Sequence, residues 1–143
     1  MADVTKVIIK RLNDNFLMES ENESANKLLM DATPEIGGEN KGFRPMQLLL
    51  SAVGGCSAID ILHILKKQGQ DAQSFEIEVT GEKEKKSTYS IWKKINLHFI
   101  LKGNIDEEKA LKAAQLSMEK YCSVSKMLEP MAEISYTVSV LKP

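Results

Sequence analysis

Residues 45–68, PMQLLLSAVGGCSAIDILHILKKQ, limit what this chain can fold into more than any other segment. Proline suits the first helical turn, where its missing N–H has no intrahelical partner. Helix formers follow it. Lys66 and Lys67 suit the negative end of a helix, and Gly69 suits the left-handed residue beyond it. The spacing predicts one helix of about 35 Å. Its apolar residues run almost all the way round, from Met46, Leu48, Leu49 and Leu50 through Val53 to Ile59, Ile61, Leu62, Ile64 and Leu65. A helix without a polar face must be buried on most sides. One sheet in a chain of 143 residues does not cover it, so a second subunit is expected over the remainder.

The flanking sequence reads as strands. VTKVIIKRL, NFLMES and NKLLMDA are separated by the turn formers NDN and ENES, which predicts an antiparallel meander from Val4 to Asp31. TPEIGGENKGFRP, from Thr33 to Pro45, is a glycine-rich loop, either a flexible connection or part of a site. SFEIEVTGEK and IWKKINLHFILKG alternate apolar and polar residues with period two, as half-buried strands do. The mixed-charge cluster GEKEKKS, Gly81 to Ser87, is expected to be the solvated hairpin loop between them.

NIDEEKALKAAQLSMEKYC has helical periodicity, with Ala110, Leu111, Ala114, Met118 and Tyr121 as its apolar stripe. Asn104 with Glu107, or Asp106 itself, suits its N-terminus. SVSKML adds a short helical turn, and EISYTVSVL closes the chain as a strand. The order of strands, long helix, strands, helix and strand is α+β. A single domain over residues 1–143 is expected, with N-terminal strands in 1–32, the helix in 45–68 and a strand-helix-strand half in 73–143.

Charge excludes some partners. Nineteen basic side chains face 20 acidic ones, for a formal net charge of −1, so no strong basic field invites nucleic acid. The N-terminus has no apolar core of signal-peptide length, and no run of 18 consecutive apolar residues occurs, so neither secretion nor a membrane span is expected. A cytoplasmic location follows as the expectation. In that compartment a cysteine pair is more often catalytic, redox-active or metal-binding than a structural staple.

The two cysteines, Cys56 and Cys122, lie in GGCSA and YCSVS, runs of small residues in which a sulfur is easily reached. Buried cysteines are also common as small hydrophobes. The pair alone makes no zinc site, because no CxxC is present and only two histidines accompany it; no metal or cofactor is expected. Asp60 and His63 follow Cys56 at i+4 and i+7 and share its helix face, with His63 read as part of a polar margin. His98 belongs to the solvent side of its strand. Asp60 near the thiol disfavours a thiolate, so an activating cation is wanted. The only arginines are Arg11 and Arg44. Arg44, just before the helix, reads equally as an exposed loop residue or as the charge that lowers a cysteine pKa.

RPMQLLLSAVGGCSAIDIL together with EKYCSVS resembles the OsmC/Ohr family of thiol-dependent peroxidases, in its less-characterised OsmC-like branch. The resemblance covers most of the chain. It implies an α+β fold with an antiparallel sheet and two chains intertwined around long central helices, a homodimer in agreement with the all-round apolar helix. It implies an antioxidant stress-response role in which Cys56 attacks an organic hydroperoxide and Cys122 resolves the sulfenic acid to a disulfide, which a dithiol reductant reopens. Peroxidase members carry a glutamate directly after the helix-opening proline, holding an arginine against the reactive sulfur. Here Met46 and then Gln47 occupy those positions. That departure bears on activity and leaves the fold inference intact. The alternatives are a redox sensor or an apolar-ligand binder with little turnover, and a dimer whose cysteines are core residues.

Overall fold

The structure is a computed structural model and describes residues 2–143. Chain packing divides it into two compact units, one up to Leu49 and one from Leu50 to Pro143.

The first unit is an antiparallel meander of β1 (Val7–Arg11), β2 (Met18–Asn22) and β3 (Lys27–Met30), in that order. The predicted turns fall where expected: the Asn13 carboxamide oxygen accepts the Asn15 and Leu17 N–H groups, and that of Asn22 accepts those of Ser24 and Asn26. The glycine-rich loop after β3 is fixed by Asp31. Its buried carboxylate accepts N–H bonds from Ala32, Glu39 and Lys41. These bonds, that of Lys41 first, hold its pKa below the usual carboxylate value against the opposing effect of desolvation. No apolar side chain of this unit is fully buried among the described residues; Val7, Ile8, Ile9 and Leu28 are all exposed. Three strands this short need an apolar partner surface to be stable.

The helix α1 (Pro45–Lys67) ends one residue short of the predicted limit, and Gly69 takes the left-handed conformation after it. Within the second unit its stripe of Val53, Gly54, Ser57, Ile61 and Leu65 is buried. Gly54 permits this packing: a Cβ there would lie 2.9 Å from Val79 Cγ2 on the neighbouring strand. Gly55 faces the other way, and a Cβ on it would meet nothing within 4 Å. Ile59 (70% exposed) and Leu62 also point outward. The helix expected to be buried on most sides is therefore covered by its own chain along one stripe only.

By length and composition alone, α1 could cross a membrane, with a mean hydropathy of 1.9 over its most apolar window. A count of consecutive apolar residues overlooks this, because Ser51, Gly54, Gly55 and Ser57 interrupt the run. Here the helix contributes Val53, Ile61 and Leu65 to a protein core.

The sheet of this unit has the order β4 (Ser74–Lys85), β5 (Ser90–Lys102) and β6 (Glu133–Leu141). β4 and β5 are antiparallel, as expected. The charged cluster read as a loop is strand as far as Lys85, with a tight turn closed by the Lys86 N–H on the Tyr89 carbonyl. Pairing with β5 carries the strand through it, past a bulge at Glu82–Lys83, and Glu84 pairs with both Lys86 and Lys93. β6 runs parallel to β5, a departure from an all-antiparallel sheet. The intervening helices carry the chain back to its starting end, and such a crossover makes the returning strand parallel.

One face of the sheet presents Ile95, Leu97, Phe99 and Leu101, each at most 1% exposed. Burial of each such side chain contributes about 1.5–3 kcal/mol. The other face carries the polar set, with Asn96 on Ser135 and His98 on Thr137 and Ser139, so His98 lies opposite the core as read.

α2 (Glu107–Leu116) is capped by Asp106, whose carboxylate accepts from Glu108 and Lys109, so Asp106 and not Asn104 is the cap. A π-helical turn, Ser117–Tyr121, continues it, and α3 (Ser123–Leu128) follows after Cys122. The buried stripe is Ala110, Ala113, Ala114, Ser117 and Met118. Leu111 and Tyr121, expected on it, are more than half exposed. The wider π turn rotates Tyr121 off the face that the α-helical period assigns to it.

Candidate functional site

Cys56 lies in the middle of α1, and Asp60 lies one turn further on the same side. Cys122 sits where the π turn hands over to α3. The Cys122 N–H bonds the Ser117 carbonyl at 2.7 Å, the five-residue spacing of a π turn, and its backbone is then extended. Single π turns recur at functional sites, because they redirect one residue without breaking the helix. Here the redirected residue is a cysteine. The two sulfurs and a carboxylate oxygen of Asp60 all lie within 4.8 Å of one another. Both thiols are free.

The two thiols have different surroundings. Cys56 is half-buried, and Cys122 is 0% exposed. Burial is the main cause pushing the Cys122 thiol up to about 11. The Ser125 N–H on its sulfur, at 3.4 Å, opposes this, while Cys56 and Asp60 add to the rise. Cys122 therefore stays protonated at neutral pH and serves as the N-cap acceptor of α3.

Asp60 is held from α2's side. Ser117, itself fully buried, donates its hydroxyl to Asp60 Oδ2 at 3.0 Å. The buried Ser57 hydroxyl turns back on its own helix, onto the Val53 carbonyl at 2.7 Å. Ser117 was not singled out from the sequence. Its signal is a hydroxyl at i+3 and i+4 from Ala114 and Ala113, inside an otherwise apolar stripe, where a polar group needs a partner. Beside Asp60 opens a cavity of about 550 Å³ lined by His63, Ile64, Lys67, Leu116 and Tyr121. His63 is an exposed member of this wall.

The structure thus brings Cys56, Asp60 and Cys122 together. The other candidates belong to the first unit and are engaged there. The Arg11 guanidinium donates to the backbone carbonyls of Asn15 and Asp14. Arg44 donates to the Gly42 carbonyl at 3.2 Å and to Asn40 Oδ1 at 2.9 Å. Gln47 Oε1 accepts the Arg44 amide N–H at 3.0 Å, closing the start of the helix. Met46 is half-buried.

The chain matches the family model for OsmC-like proteins over residues 38–137. Protein YhfA of Escherichia coli is 38% identical over 122 residues, which cover 85% of this chain and 87% of that protein. A solved hypothetical protein from Aquifex aeolicus superposes with a TM-score of 0.79 at 30% identity, covering 97% of this chain and 98% of that one. The organic hydroperoxide resistance protein OhrB of Bacillus subtilis shares the fold, with a TM-score of 0.68 at 18% identity over 96% of this chain and 98% of that one.

The contrast between the thiols predicts an order of reaction. Iodoacetamide should alkylate native Cys56 well before Cys122 at pH 8, and Cys122 should react only as pH approaches about 11 or as the chain unfolds. The sign for stability follows. A thiol raised in the folded state adds stability that is complete below its unfolded pKa of about 8.5 and is lost as pH rises towards about 11. Peptide mapping after timed alkylation checks the order; equal labelling of both residues at pH 8 contradicts it.

Proposed function

The chain belongs to the OsmC-like family, and from that premise we propose that it is a thiol-dependent reductase of organic hydroperoxides, with Cys56 as the attacking and Cys122 as the resolving thiol. The observation that carries this is the placement of a half-buried and a fully buried thiol within 4.8 Å, on separate elements. The more accessible thiol would meet substrate, and the buried one would meet only its partner. Ile64, Leu116 and Tyr121 in the adjoining cavity suit the organic part of a hydroperoxide.

In the proposed reaction the Cys56 thiolate attacks the terminal peroxide oxygen. The O–O bond breaks, the alkoxide takes a proton and leaves as the alcohol, and Cys56 becomes a sulfenic acid. The Cys122 sulfur then attacks the Cys56 sulfur. The S–O bond breaks, and hydroxide leaves as water with the proton that Cys122 gives up. Asp60 stands beside both sulfurs to carry that proton, its carboxylate held by the Ser117 hydroxyl on Oδ2. An external dithiol reopens the disulfide by two exchanges and is itself oxidised. Arg44 and Arg11 are the candidates to favour the Cys56 thiolate by charge.

A redox sensor or apolar-ligand binder with little turnover is the alternative. Arg44 is held by Gly42 and Asn40, Met46 stands directly after the proline where the peroxidases of the family place a carboxylate, and Gln47 beside it is engaged with the Arg44 amide. That arrangement favours a slow thiol.

The oligomer belongs to the same proposal. The outward face of α1 presents Ala52, Gly55, Ile59 and Leu62, an i, i+3, i+7, i+10 stripe with a bare glycine that lets another backbone approach. We propose that a second copy of the chain covers it, in a homodimer located in the cytoplasm.

Turnover tests the reaction. With cumene hydroperoxide and a dithiol reductant, the parent chain should cycle many times, and Cys56→Ser should fall to the uncatalysed rate. Without the reductant, Cys122→Ser should consume about one equivalent and stop as a sulfenic acid that dimedone traps. A parent chain that stops after one equivalent with a disulfide favours the sensor, and a Cys56→Ser variant as fast as the parent ends both accounts. For the dimer, sedimentation should give twice the chain mass for the parent, and Ile59→Glu should lower it to the monomer; an unchanged mass contradicts the α1 interface.

A further inference from the structure

The Cys56–Asp60–Cys122 cluster has the donor set of a metal site as well as of a redox pair. From sequence, two cysteines were too few ligands. The fold adds a third, because Asp60 lies one helical turn from Cys56 and its oxygen lies within 4.8 Å of both sulfurs. We propose that the reduced chain binds one thiophilic divalent cation of the zinc class through Cys56 Sγ, Cys122 Sγ and a carboxylate oxygen of Asp60. The binding needs only the two reduced thiols, and it stands whether or not hydroperoxide turns over.

Geometry supports three protein ligands around one centre. Zinc bonds sulfur at about 2.3 Å and carboxylate oxygen at about 2.0–2.2 Å, so tetrahedral donors stand about 3.6–3.8 Å apart. Donors already within 4.8 Å reach that spacing by small side-chain rotations. Two of the three come from successive turns of one helix, and the third is fixed by the π turn that delivers Cys122. The outer contacts suit ligands too. Ser117 donates to Asp60 Oδ2, and the Ser125 N–H donates to Cys122 Sγ. Such bonds orient a ligand and temper the charge it brings. The fourth position is left to water or to a small molecule entering from the cavity beside Asp60.

Chemistry selects the cation. Two thiolates prefer zinc or cadmium over magnesium or calcium, which want six or more oxygens. Binding needs the deprotonated sulfurs, so cation affinity should rise with pH. The same two sulfurs form the disulfide, so cation and disulfide exclude each other. A bound cation withholds Cys56 from oxidants, and oxidation of the thiols releases the cation.

Metal-free, reduced protein titrated with cadmium alone should develop the ultraviolet thiolate-to-metal charge-transfer band and saturate at one cation per chain. Cys122→Ser should halve the band. Asp60→Asn, which keeps shape and leaves both thiols, should weaken zinc binding about tenfold or more in competition with a chromophoric chelator. Protein oxidised with diamide to the disulfide should give no band. The proposal is overturned by a band that is absent, that survives oxidation or that is unchanged in Cys122→Ser, and by Asp60→Asn binding zinc as tightly as the parent. Absent binding in a chain that turns over hydroperoxide removes the cation alone; binding without turnover removes the reductase alone.

Discussion

The second half of this protein depends on how closely α1 can lie on the sheet. Gly54 sets that distance, since any larger side chain would run into Val79 on β4. With the glycine in place, Val53, Ser57, Ile61 and Leu65 enter the core beside Leu97 and Phe99. Cys56, between two of these anchors, is left at the edge of the core. From the other side, the stripe of Ala110, Ala113 and Ala114 brings Ser117 and then Cys122 down on the same place. Small side chains on both elements let two sulfurs meet. A bulkier stripe on either would separate them.

Burial then sets the two sulfurs apart. Burial and the neighbouring Asp60 keep Cys122 a thiol, so it does not compete with Cys56 for an oxidant. The carboxylate that discourages a thiolate is the group proposed above to carry the proton and to act as third donor for a cation. In the reaction and the cation binding proposed above, one set of contacts would serve attack, resolution and metal capture, with the chemical state of Cys56 deciding between them.

Much of this was legible in the sequence. The limits of α1 came from proline, lysine and glycine chemistry, and the strands from their alternation, because both signals are local. The family resemblance rested on two cysteine motifs, and their relatives share the fold. What the sequence hid is non-local. Nothing local says that β6 returns parallel to β5; the crossover length only allows it. The charged run at Glu82–Lys85 looks like a loop because it carries no apolar alternation, and the cross-strand pairing with β5 that makes it strand is not visible locally. The π turn is invisible to a period of 3.6, so Tyr121 was placed inward and Ser117 was passed over. The apolar girth of α1 suggested cover on most sides, whereas the chain buries one stripe of it and leaves Gly55, Ile59 and Leu62 exposed.

The central claim is that Cys56 and Cys122 act as one redox unit. Intact-mass and peptide analysis of the reduced chain, before and after one equivalent of cumene hydroperoxide, tests it most directly. The account predicts loss of both titratable thiols and one peptide pair joining Cys56 to Cys122 within a chain. Two thiols still titratable, or a bond joining Cys56 to Cys56 of another chain, would contradict it.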